Sequence, residues 1–582
     1  MKKTLFVTLL LPALALASCT FPLLNKKTVE KEIEVYDLDN IANNADISTG
    51  YQGKVKARFI EGEDYIPYLT LQDYASLYNP HFLSSVDSEF EEVDGDLVWS
   101  VKAGKQYYFI ADFDMSYRAA AIAGSLSSAY REDDNQQDLE ALNYAMQANY
   151  EAEQQGNNYA TYLFSTIDCF KYDNEWYFPL GFLDILFCGD TDIYYYYNYA
   201  HIFSTKDVEN YASVSFKEGT ASYTVDSQMK ANKKDSSMPE YLRKHNAALF
   251  MLLMNSFYGL KSYHNIGSMT KFYKDAGIYN NLLSSKTSVR AQAYADALDV
   301  FDDNHTALVS ANDTWGEDSF VRRRLSKGIY ARNVLRETLN NTRNAYYGGL
   351  GAQPGNSIVY SQDGKTAMYM FDSFIFTTSD VLNGDDLNKL YAEDTFLNIV
   401  HVLELIKNKS GVENVILDIS TNGGGTIGVM VKLLALISKN NQTKATYYDT
   451  STQQIVSLSC KVDTNQDGEY NSSDCFGNDF NFYILTSDCS FSCGNAFPCI
   501  AQQTKIAKII GQKSGGGECA VGIHYLPNSQ YVYHSSNLHL GYYDTNNSKF
   551  IGFESGATPD IEIKNTSDFY DIEKLNSMIV GA

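Results

Sequence analysis

The C-terminal half of the chain alternates short apolar runs with segments whose apolar residues recur at helical spacing. In chain order, the pattern predicts a helix over 396–406, a strand over 414–419, a helix over 428–438, a strand over 482–486, a helix over 492–503 and a strand over 507–511. Buried strands that alternate with amphipathic helices are the βαβ signature of an α/β sheet. We therefore predict an α/β domain over residues 346–582.

The first part of the chain has a different pattern, with strands and short helices over residues 35–215. It contains an internal echo: an aromatic strand with a proline at 64–69 precedes a helical turn at 71–78, and the same order recurs at 175–180 and 182–187. We predict an N-terminal α+β module here that positions a substrate or binds a surface.

A polar stretch over 216–237 separates this module from a helical segment. Apolar residues recur at helical spacing over 243–260 and 288–301, which predicts a mostly helical segment over 236–345. The whole chain is thus predicted to be a multi-domain α/β protein.

The N-terminus has the pattern of an export signal. A basic start and an apolar run over 4–15 lead to Leu16-Ala17-Ser18-Cys19, which resembles a bacterial lipobox. We predict a lipoprotein signal peptide over 1–18, Cys19 as the lipidated first residue of the mature protein, and a polar tether over 19–34. The alternative is an ordinary cleaved signal with an incidental cysteine. The expected location is the bacterial cell envelope, outside the cytoplasm.

Composition narrows the possible partners. The 582 residues carry a net charge of −25, which argues against nucleic acid and anionic lipid, since both bind basic patches. No stretch after the signal reaches the roughly 18 to 20 apolar residues of a transmembrane helix. The expected partner is a protein or peptide, with contact to the membrane through the lipid anchor alone.

Cysteines cluster near the C-terminus. Those in the last quarter are Cys460, Cys475, Cys489, Cys493, Cys499 and Cys519. In an exported protein this clustering predicts one to three disulfides there, and Cys169 could pair with Cys188. Zinc is disfavoured because Cys489, Cys493 and Cys499 lack paired C-x-x-C knuckles and histidines at ligand spacing.

Ser492 stands between the strand over 482–486 and the helix that follows it. Unpaired backbone N–H groups at a helix N-terminus favour developing negative charge, so a serine here is a candidate nucleophile. The alternative role is a helix N-cap. Gly423-Gly424-Gly425 follow the strand over 414–419 and are expected at the same edge of the sheet. They suit half of an oxyanion hole or a plain tight turn; a phosphate loop is excluded because no Gly-Lys-Ser/Thr follows.

Several short motifs occur in a fixed order. They are Val415-Ile416-Leu417-Asp418 with Asn422-Gly423-Gly424-Gly425, Ser492 at its junction, Ile509-Ile510-Gly511 with Ser514-Gly515-Gly516-Gly517, and Gly556-Ala557-Thr558-Pro559-Asp560-Ile561. The ordered set resembles the serine peptidase family of the tail-specific (C-terminal-processing) proteases and the tricorn core. The resemblance spans about residues 240 to 580. It implies a ClpP/crotonase-like α/β catalytic domain that hydrolyses peptide bonds.

The family uses two kinds of general base. In the tail-specific branch a lysine follows the serine by about 25 residues, but that count reaches Gly517 here, and Lys513 is out of register. In the tricorn-like branch a histidine ends the helical segment and a glutamate precedes the Gly-x-x-Pro-Asp motif. His305 and Glu554 match these two positions, so the chain is closer to the Ser/His/Glu branch.

The resemblance implies a role for each matched residue. His305 would deprotonate Ser492, and Glu554 would support the site through Asn304 or Thr306. Backbone N–H groups of Gly424 or Gly425 and of Cys493 would form the oxyanion hole. The alternative bases are His264, His401 and His524, and Asp560 is the alternative to Glu554.

A second motif lies outside the catalytic set. Residues 463–474 match the twelve-residue calcium loop, with glycine at position 6 and an aspartate in place of the usual final glutamate. The candidate ligands are Asp463, Asn465, Asp467, Glu469 and Asp474. A single structural Ca²⁺ site or a plain Asn/Asp/Gly turn would explain the pattern. No cofactor is predicted for catalysis.

The sequence therefore predicts an exported, lipid-anchored serine endopeptidase that acts through an acyl-enzyme on Ser492. The alternative is a non-catalytic surface lipoprotein of the same fold that binds peptide or glycan. Nothing between residues 306 and 400 resembles the glycine-rich carboxylate-binding loop of a PDZ domain, so selection of substrates by a free C-terminus is not expected.

Overall fold

The fold was analysed in a computed structural model. The structure describes residues 27–78, 88–93, 96–101, 105–110, 118–122, 147–155, 159–163, 167–173, 175–191, 193–206, 211–309, 315, 326–348, 357–375, 391, 394–451, 453–465, 467–527, 530–544 and 547–581. The predicted signal peptide over 1–18 and the predicted lipidation site, Cys19, lie outside these residues, so both stay predictions.

The first part of the chain consists mainly of strands. Its elements are β1 (Thr28–Asp37), α1 (Leu38–Asn44), β2 (Tyr51–Ile60), β3 (Tyr68–Leu69), α2 (Leu71–Tyr78), β4 (Ser88–Val93), β5 (Asp96–Val101), β6 (Lys105–Ile110), β7 (Arg118–Ile122), β8 (Gln147–Gln155), β9 (Tyr159–Leu163), β10 (Phe170–Tyr172), β11 (Glu175–Pro179), α3 (Leu180–Thr191), β12 (Tyr194–Tyr197), β13 (Ile202–Thr205), β14 (Ser215–Glu218) and β15 (Ala221–Thr224). Strands β4, β5, β6, β7 and β9 form one sheet, and β14 pairs with β15.

A sheet with the strand order β10-β11-β3-β2-β1-β13-β12 contains both copies of the predicted echo. Strands β3 and β11 pair antiparallel, with Leu69 opposite Phe178, and each leads into a helix that packs into the same core. The two similar segments therefore lie side by side.

The predicted tether over residues 19–34 is too long, because β1 begins at Thr28. Ile33 and Val35 are buried in this strand, whereas Glu32 is exposed and Glu34 is only partly buried. The acidic and basic residues on the exposed face make the segment polar in composition although its alternation is that of a half-buried strand.

Helices follow in the middle of the chain. They are α4 (Val225–Asn232), α5 (Glu240–Ser256), α6 (Met269–Asp275), α7 (Tyr279–Leu282), α8 (Thr287–Asp299) and α9 (Lys327–Tyr347), with β16 (Ala307–Leu308) between the last two. Helices α5 and α8 share a core that includes Phe250, Tyr294 and Leu298. Helix α8 leads into the turn that carries His305.

The C-terminal part alternates strands and helices as the sequence predicts. Its elements are β17 (Val359–Tyr360), β18 (Thr366–Met370), α10 (Thr395–Lys407), β19 (Asn414–Asp418), α11 (Ile427–Ile437), β20 (Thr443–Asp449), β21 (Gln454–Asp463), β22 (Asn481–Thr486), α12 (Cys493–Gln503), β23 (Lys508–Gly511), β24 (Cys519–Tyr525), β25 (Tyr531–Asp544), β26 (Lys549–Gly552), β27 (Ile561–Glu562) and α13 (Ile572–Val580). Strands β18, β19, β22, β23 and β27 run parallel in that order, with β17 antiparallel at the edge. The predicted multi-domain α/β fold is confirmed.

Parallel strands place their carboxyl ends at one edge of the sheet. The glycine loop follows β19 and Ser492 follows β22, and these two strands are neighbours with Asp418 opposite Leu485. The predicted meeting of the loop and the serine therefore results from the strand order.

A second C-terminal sheet joins all parts of the chain. Its strand order is β16-β25-β20-β21-β8, and β24 and β26 also pair with β25. Strand β8 comes from the first part of the chain and β16 directly follows His305. Pairing of Ala307 with Tyr533 thus brings the turn of His305 to the C-terminal domain.

The predicted disulfides are wrong for every cysteine whose side chain the structure describes. Cys169, Cys460, Cys475, Cys489, Cys493, Cys499 and Cys519 are buried thiols. Cys460, Cys493 and Cys499 pack as small apolar side chains in the core of the α/β sheet. The side chain of Cys188 lies outside the described residues.

None of the helices that the structure describes is both long enough and apolar enough to cross a membrane.

The carboxylate of Asp418 is buried at the end of β19 and makes the stability of the fold depend on pH. Its Oδ1 accepts a hydrogen bond from the Ser420 N–H at 2.8 Å, and its Oδ2 has no partner among the described residues. Burial raises the pKa of Asp418 to about 6. The folded state therefore binds more protons than the unfolded state between about pH 4 and 6, and stability falls as the pH rises through this window.

We expect Asp418→Asn, which retains the Oδ1 acceptor and cannot ionise, to flatten this pH dependence. As the pH is raised from 4 to 7, the free energy of unfolding of the variant should increase by roughly 2 kcal/mol relative to that of wild type. Urea unfolding of the full chain measures it. Asp363→Asn is the matched control: hydrogen bonds from Ser361, Lys365 and Asn576 lower the pKa of Asp363 to about 2, so its titration lies below this window and its pH dependence there should match that of wild type. An Asp418→Asn curve parallel to that of wild type would contradict the assignment.

Candidate active site

Ser492 has an unusual backbone conformation at the start of α12. Its φ is 58° and its ψ is −125°, a region that residues with a Cβ rarely adopt. Its side chain makes no capping hydrogen bond to the helix. Ser492 stands at the N-cap position of α12, but its hydroxyl does not cap the helix. The alternative role as a helix cap is therefore wrong.

Hydrogen bonds on both sides of Ser492 hold this conformation. The Ser492 N–H donates to Gly516 O at 3.0 Å, and the Phe491 N–H donates to Asn422 O at 3.0 Å. The Ser492 carbonyl accepts from the N–H groups of Asn495 and Ala496 at 2.9 and 2.8 Å. A strained residue persists where its surroundings determine it in this way, and such residues concentrate at functional sites.

The glycine loop lies directly against the serine. A Cβ on Gly424 would come 2.7 Å from Ser492 Cβ and 3.0 Å from Ser492 Oγ, and the φ of Gly424 is 111°. Only glycine allows this approach. The loop is braced from outside, because both guanidinium nitrogens of Arg343 donate to Asp372, which also accepts from the Thr421 hydroxyl.

The predicted oxyanion donors differ in availability. The Gly424 N–H already donates to Asn422 Oδ1 at 2.8 Å, inside the loop. For the N–H groups of Gly425 and Cys493, no acceptor is recorded among the described residues. The Cys493 thiol donates to Gly425 O at 3.0 Å, which ties the two candidate donors together.

Ser492 opens into a cavity of about 230 Å³. Gly425 and Cys493 line it beside the serine, and Gly517, Glu518 and Cys519 line it at the start of β24. The remaining wall is mostly apolar and consists of Ile427, Tyr447, Ala520, Val521, Leu538 and Leu540. Such a lining suits an apolar side chain near a polar reaction centre.

His305 lies beside the residue that precedes Ser492. Its ring packs against the Phe491 ring with the centroids 4.8 Å apart. The hydrogen bonds of the described residues include none between the imidazole and the Ser492 hydroxyl, and His305 Nδ1 is buried without a partner among them. Burial lowers the pKa of His305, while Asp303 and the backbone of Cys519 oppose that shift. The neutral imidazole, which is the form that accepts a proton, is thus favoured.

Asp303 is a residue of this site that the sequence analysis missed. Its Oδ1 accepts from the His305 N–H at 2.9 Å and its Oδ2 accepts from the Thr306 hydroxyl at 2.6 Å. Thr306 Oγ1 also accepts from the Ser535 N–H at 3.1 Å, so it is part of the bracing, whereas Asn304 is exposed. An Asp two residues before a histidine, with a hydroxyl after it, is the local signal that could have found this turn.

Glu554 is held by the loop that leads into β24. Its Oε2 accepts from the N–H groups of Gly517 and Glu518 at 3.0 and 2.9 Å. Burial raises the pKa of Glu554 to about 7, and Asp303 and Glu518 add to the rise. Because Gly516 O accepts from the Ser492 N–H, a single loop joins the glutamate to the serine.

The alternative bases make other contacts. His264 packs on Phe301, His401 stacks on Tyr391, and His524 Nδ1 lies 2.9 Å from His534 Nε2. Among the described contacts, none of these three joins Ser492 or Phe491. The Asp560 carboxylate accepts from the Ile509 N–H at 2.7 Å and so links β23 to the segment before β27.

The acidic side chains of the predicted calcium loop accept hydrogen bonds from backbone N–H groups of the same loop. Asp463 is buried and accepts from the N–H groups of Asp467 and Gly468 at 3.2 and 2.9 Å, and Asp474 accepts from the Asn471 N–H at 2.9 Å. Asn465 and Glu469 are partly or fully exposed. Three or more acidic ligands within 4.8 Å of one another do not occur here among the described residues. The Ca²⁺ site stays a prediction.

Comparison with known proteins gives a family match for part of the chain. Residues 391–563 match the sequence model of peptidase family S41. The matched segment contains the glycine loop, Ser492 and Glu554, and His305 lies before it. The match supports a serine-type peptidase domain. No curated protein sequence matches the chain.

Solved structures with a similar arrangement share little sequence identity. A proposed peptidase from Parabacteroides merdae ATCC 43184 is 17% identical, covers 56% of this chain and 92% of its own, and has a TM-score of 0.39. A lipoprotein from Streptococcus agalactiae is 13% identical, with 59% and 98% covered and a TM-score of 0.34. Mature CPAF is 11% identical, with 58% and 96% covered and a TM-score of 0.36.

The close approach of Gly424 to Ser492 predicts the effect of a single methyl group. Gly424→Ala should reduce the rate at which a fluorophosphonate labels the chain at least tenfold, because the new Cβ would push Ser492 Cβ away from its position. Gly411→Ala is the matched control, since Gly411 also has a positive φ of 95° but no atom within 4 Å of the added Cβ. Equal labelling rates for the two variants would contradict this account of the loop.

Proposed function

We propose that this chain is an exported serine endopeptidase in which Ser492 is the nucleophile and His305 the general base. The observation that carries the proposal is the strained backbone of Ser492, which leaves the hydroxyl free of capping and directs it toward a cavity at the end of a parallel sheet. The match of residues 391–563 to peptidase family S41 supports the same reaction class.

The proposed first step is attack on a peptide carbonyl. The neutral imidazole of His305 accepts the proton of the Ser492 hydroxyl as Oγ bonds to the carbonyl carbon. This step requires the ring to move from its position on Phe491 toward Ser492 Oγ, and catalytic hydrogen bonds often tighten only when the substrate is bound. Asp303 supports the step as a positioning residue, because it holds the backbone of His305 and favours the imidazolium that forms.

The negative oxygen of the tetrahedral intermediate would be bound by the N–H groups of Gly425 and Cys493. Neither N–H group has an acceptor among the described residues. Donors of this kind typically stabilise the transition state by about 3 kcal/mol each. When the carbonyl re-forms, the C–N bond breaks and the amine leaves with the proton from His305. A water molecule then hydrolyses the acyl-enzyme by the same route in reverse.

Glu554 would act on this site from the loop over 516–518. Its carboxylate fixes the two N–H groups that follow Gly516, and Gly516 O in turn binds the Ser492 N–H. We therefore assign Glu554 as a positioning residue in the Ser/His/Glu arrangement. Lys513 is exposed, which disfavours it as a base of the Ser/Lys type.

We also propose that the signal over 1–18 and Cys19 place the enzyme in the bacterial cell envelope as a lipoprotein, with proteins or peptides as substrates. The apolar wall of the cavity would accept an apolar side chain next to the scissile bond. A non-catalytic lipoprotein that binds peptide remains the second candidate, because the described hydrogen bonds do not join His305 to Ser492.

Replacement of the proposed nucleophile distinguishes a serine peptidase from a non-catalytic lipoprotein that binds peptide. Ser492→Ala should abolish fluorophosphonate labelling and reduce casein hydrolysis by at least about a thousandfold. Ser567→Ala, at an exposed serine near α13, is the matched control and should behave as wild type. Absence of labelling in a well-folded wild-type chain would favour the binding protein.

Replacement of the proposed base tests the role of His305. His305→Ala should lower kcat/KM by about a hundredfold to ten-thousandfold, the usual contribution of a general base. His401→Ala removes a partly buried ring that stacks on Tyr391, and it should change kcat/KM less than twofold. A large loss in His264→Ala or His524→Ala, with His305→Ala active, would show that the base is assigned wrongly.

A further inference from the structure

Three possible metal ligands of different chemistry meet at the start of β24. The ligand atoms of Glu518, Cys519 and His539 all lie within 4.8 Å of one another. Strand pairing brings them together, because Cys519 on β24 is opposite His539 on β25. All three residues are buried or nearly so. The catalytic proposal uses none of these three side chains as a reacting group.

The distances suit a small tetrahedral cation. Cys519 Sγ lies 3.7 Å from His539 Nδ1, and Glu518 Oε1 lies 2.6 Å from the same nitrogen. Neighbouring ligands of a tetrahedral Zn²⁺ are about 3.3–3.6 Å apart, given Zn–S and Zn–N bonds of about 2.3 and 2.0 Å. The sulfur is thus at a suitable distance from Nδ1, but it also lies 3.8 Å from Nε2, so the Cys519 side chain would turn toward Nδ1 as a metal binds. The carboxylate would move by less than about 1 Å as the metal replaces its hydrogen bond.

The orientation of the His539 imidazole leaves Nδ1 available to bind a cation. A Cβ on Gly259 would come 2.8 Å from His539 Nε2, so that side of the ring is packed against the backbone before α6. Nδ1 therefore faces Glu518, and Cys519 Sγ lies at nearly equal distances from Nδ1 and Nε2, 3.7 and 3.8 Å. Because Glu518 and Cys519 also line the cavity of Ser492, a cation could enter through it and keep a water molecule as its fourth ligand.

Charge and ligand type select the class of cation. Glu518 and Asp303 both act on the buried carboxyl group of Glu554, so three acidic groups surround this position. Among the salt bridges of the described residues, His539 is the partner of Glu518, and none involves Glu554. Thiolate and imidazole favour Zn²⁺ over Ca²⁺ or Mg²⁺, which prefer oxygen ligands.

We propose that Glu518, Cys519 and His539 form a binding site for Zn²⁺ or a similar thiophilic divalent cation, and that its occupation inhibits the enzyme. On binding, the Cys519 S–H bond breaks, the thiolate bonds to the cation and the proton is released to solvent. The inhibition rests on the proposed peptidase function, whereas the binding does not.

Inhibition follows from the second set of contacts of Glu518. Its Oε2 accepts from the Glu554 N–H at 2.7 Å, and its own N–H donates to Glu554 Oε2 at 2.9 Å. The backbone of Cys519 lies beside the His305 ring. A cation inserted between Glu518 and His539 would push the Glu518 carboxylate away from the imidazole, so it would disturb the loop that holds Glu554 and would occupy space beside Ser492.

Cobalt provides a test of binding that does not depend on activity. Titration of the full chain with Co²⁺ alone should produce a near-ultraviolet thiolate-to-metal absorption band that saturates at one equivalent and disappears when Zn²⁺ is added. Cys519→Ser, Cys519→Ala and His539→Gln should each lose the band or need at least tenfold more Co²⁺. Cys169→Ser, at a buried thiol of the first sheet, should retain it. Circular dichroism identifies any variant that fails to fold.

No band in the wild type, or a band of full strength in folded Cys519→Ser, would overturn the site. Initial rates of casein hydrolysis then test the coupling: Zn²⁺ that saturates the site should inhibit the wild type, and Cys519→Ser should need at least tenfold more Zn²⁺ for the same fractional inhibition. Full activity at saturation would overturn the inhibition. If the chain hydrolyses no peptide at all, the peptidase proposal fails while the cobalt band still decides the metal site.

Discussion

The φ of 58° and ψ of −125° at Ser492 cost a residue with a side chain about 1–3 kcal/mol, and the surrounding structure has to supply that energy. It does so with backbone hydrogen bonds from three separate segments: Asn422 of the glycine loop, Gly516 of the loop before β24, and the first turn of α12. The approach of Gly424 to the serine side chain is possible only because Gly424 has no Cβ. The geometry of Ser492 is therefore a property of the sheet edge as a whole.

The same edge gathers negative charge. Asp303, Glu518 and Glu554 come from the turn after α8, the start of β24 and the segment after β26, and they influence one another through a poorly solvated interior. Backbone N–H groups of Gly517 and Glu518 satisfy one oxygen of Glu554, and the His539 imidazole pairs with Glu518. Asp303 also raises the pKa of the His305 imidazole, which helps that ring to carry the transient positive charge that the proposed base requires.

Much of the catalytic domain could be predicted from the sequence because its signals are local. Buried runs such as 414–419 and 482–486 form parallel strands with the predicted bounds to within a residue or two, and the glycine loop and Ser492 follow them directly. The order of these strands then determines that the loop and the serine meet. The helical segment before them was also visible from its 3.6-residue periodicity.

The rest depends on contacts between distant segments. Glu518 and His539 become neighbours through the register of β24 and β25, and His305 reaches the site through the pairing of β16 with β25. Asp303 was hidden in a short turn beside a more conspicuous histidine. The cysteines misled for a related reason: their clustering in sequence suggested crosslinks, whereas the described cysteines are buried as free thiols.

The central claim is that the strained serine, the two backbone donors and the histidine form one reaction centre. A crystal structure of the chain after reaction with a fluorophosphonate tests it most directly. The account predicts a phosphonyl group on Ser492 Oγ, with one phosphonyl oxygen within hydrogen-bond distance of the N–H groups of Gly425 and Cys493 and the His305 ring turned toward Oγ. An adduct on another residue, or a phosphonyl oxygen directed away from both N–H groups, would contradict it.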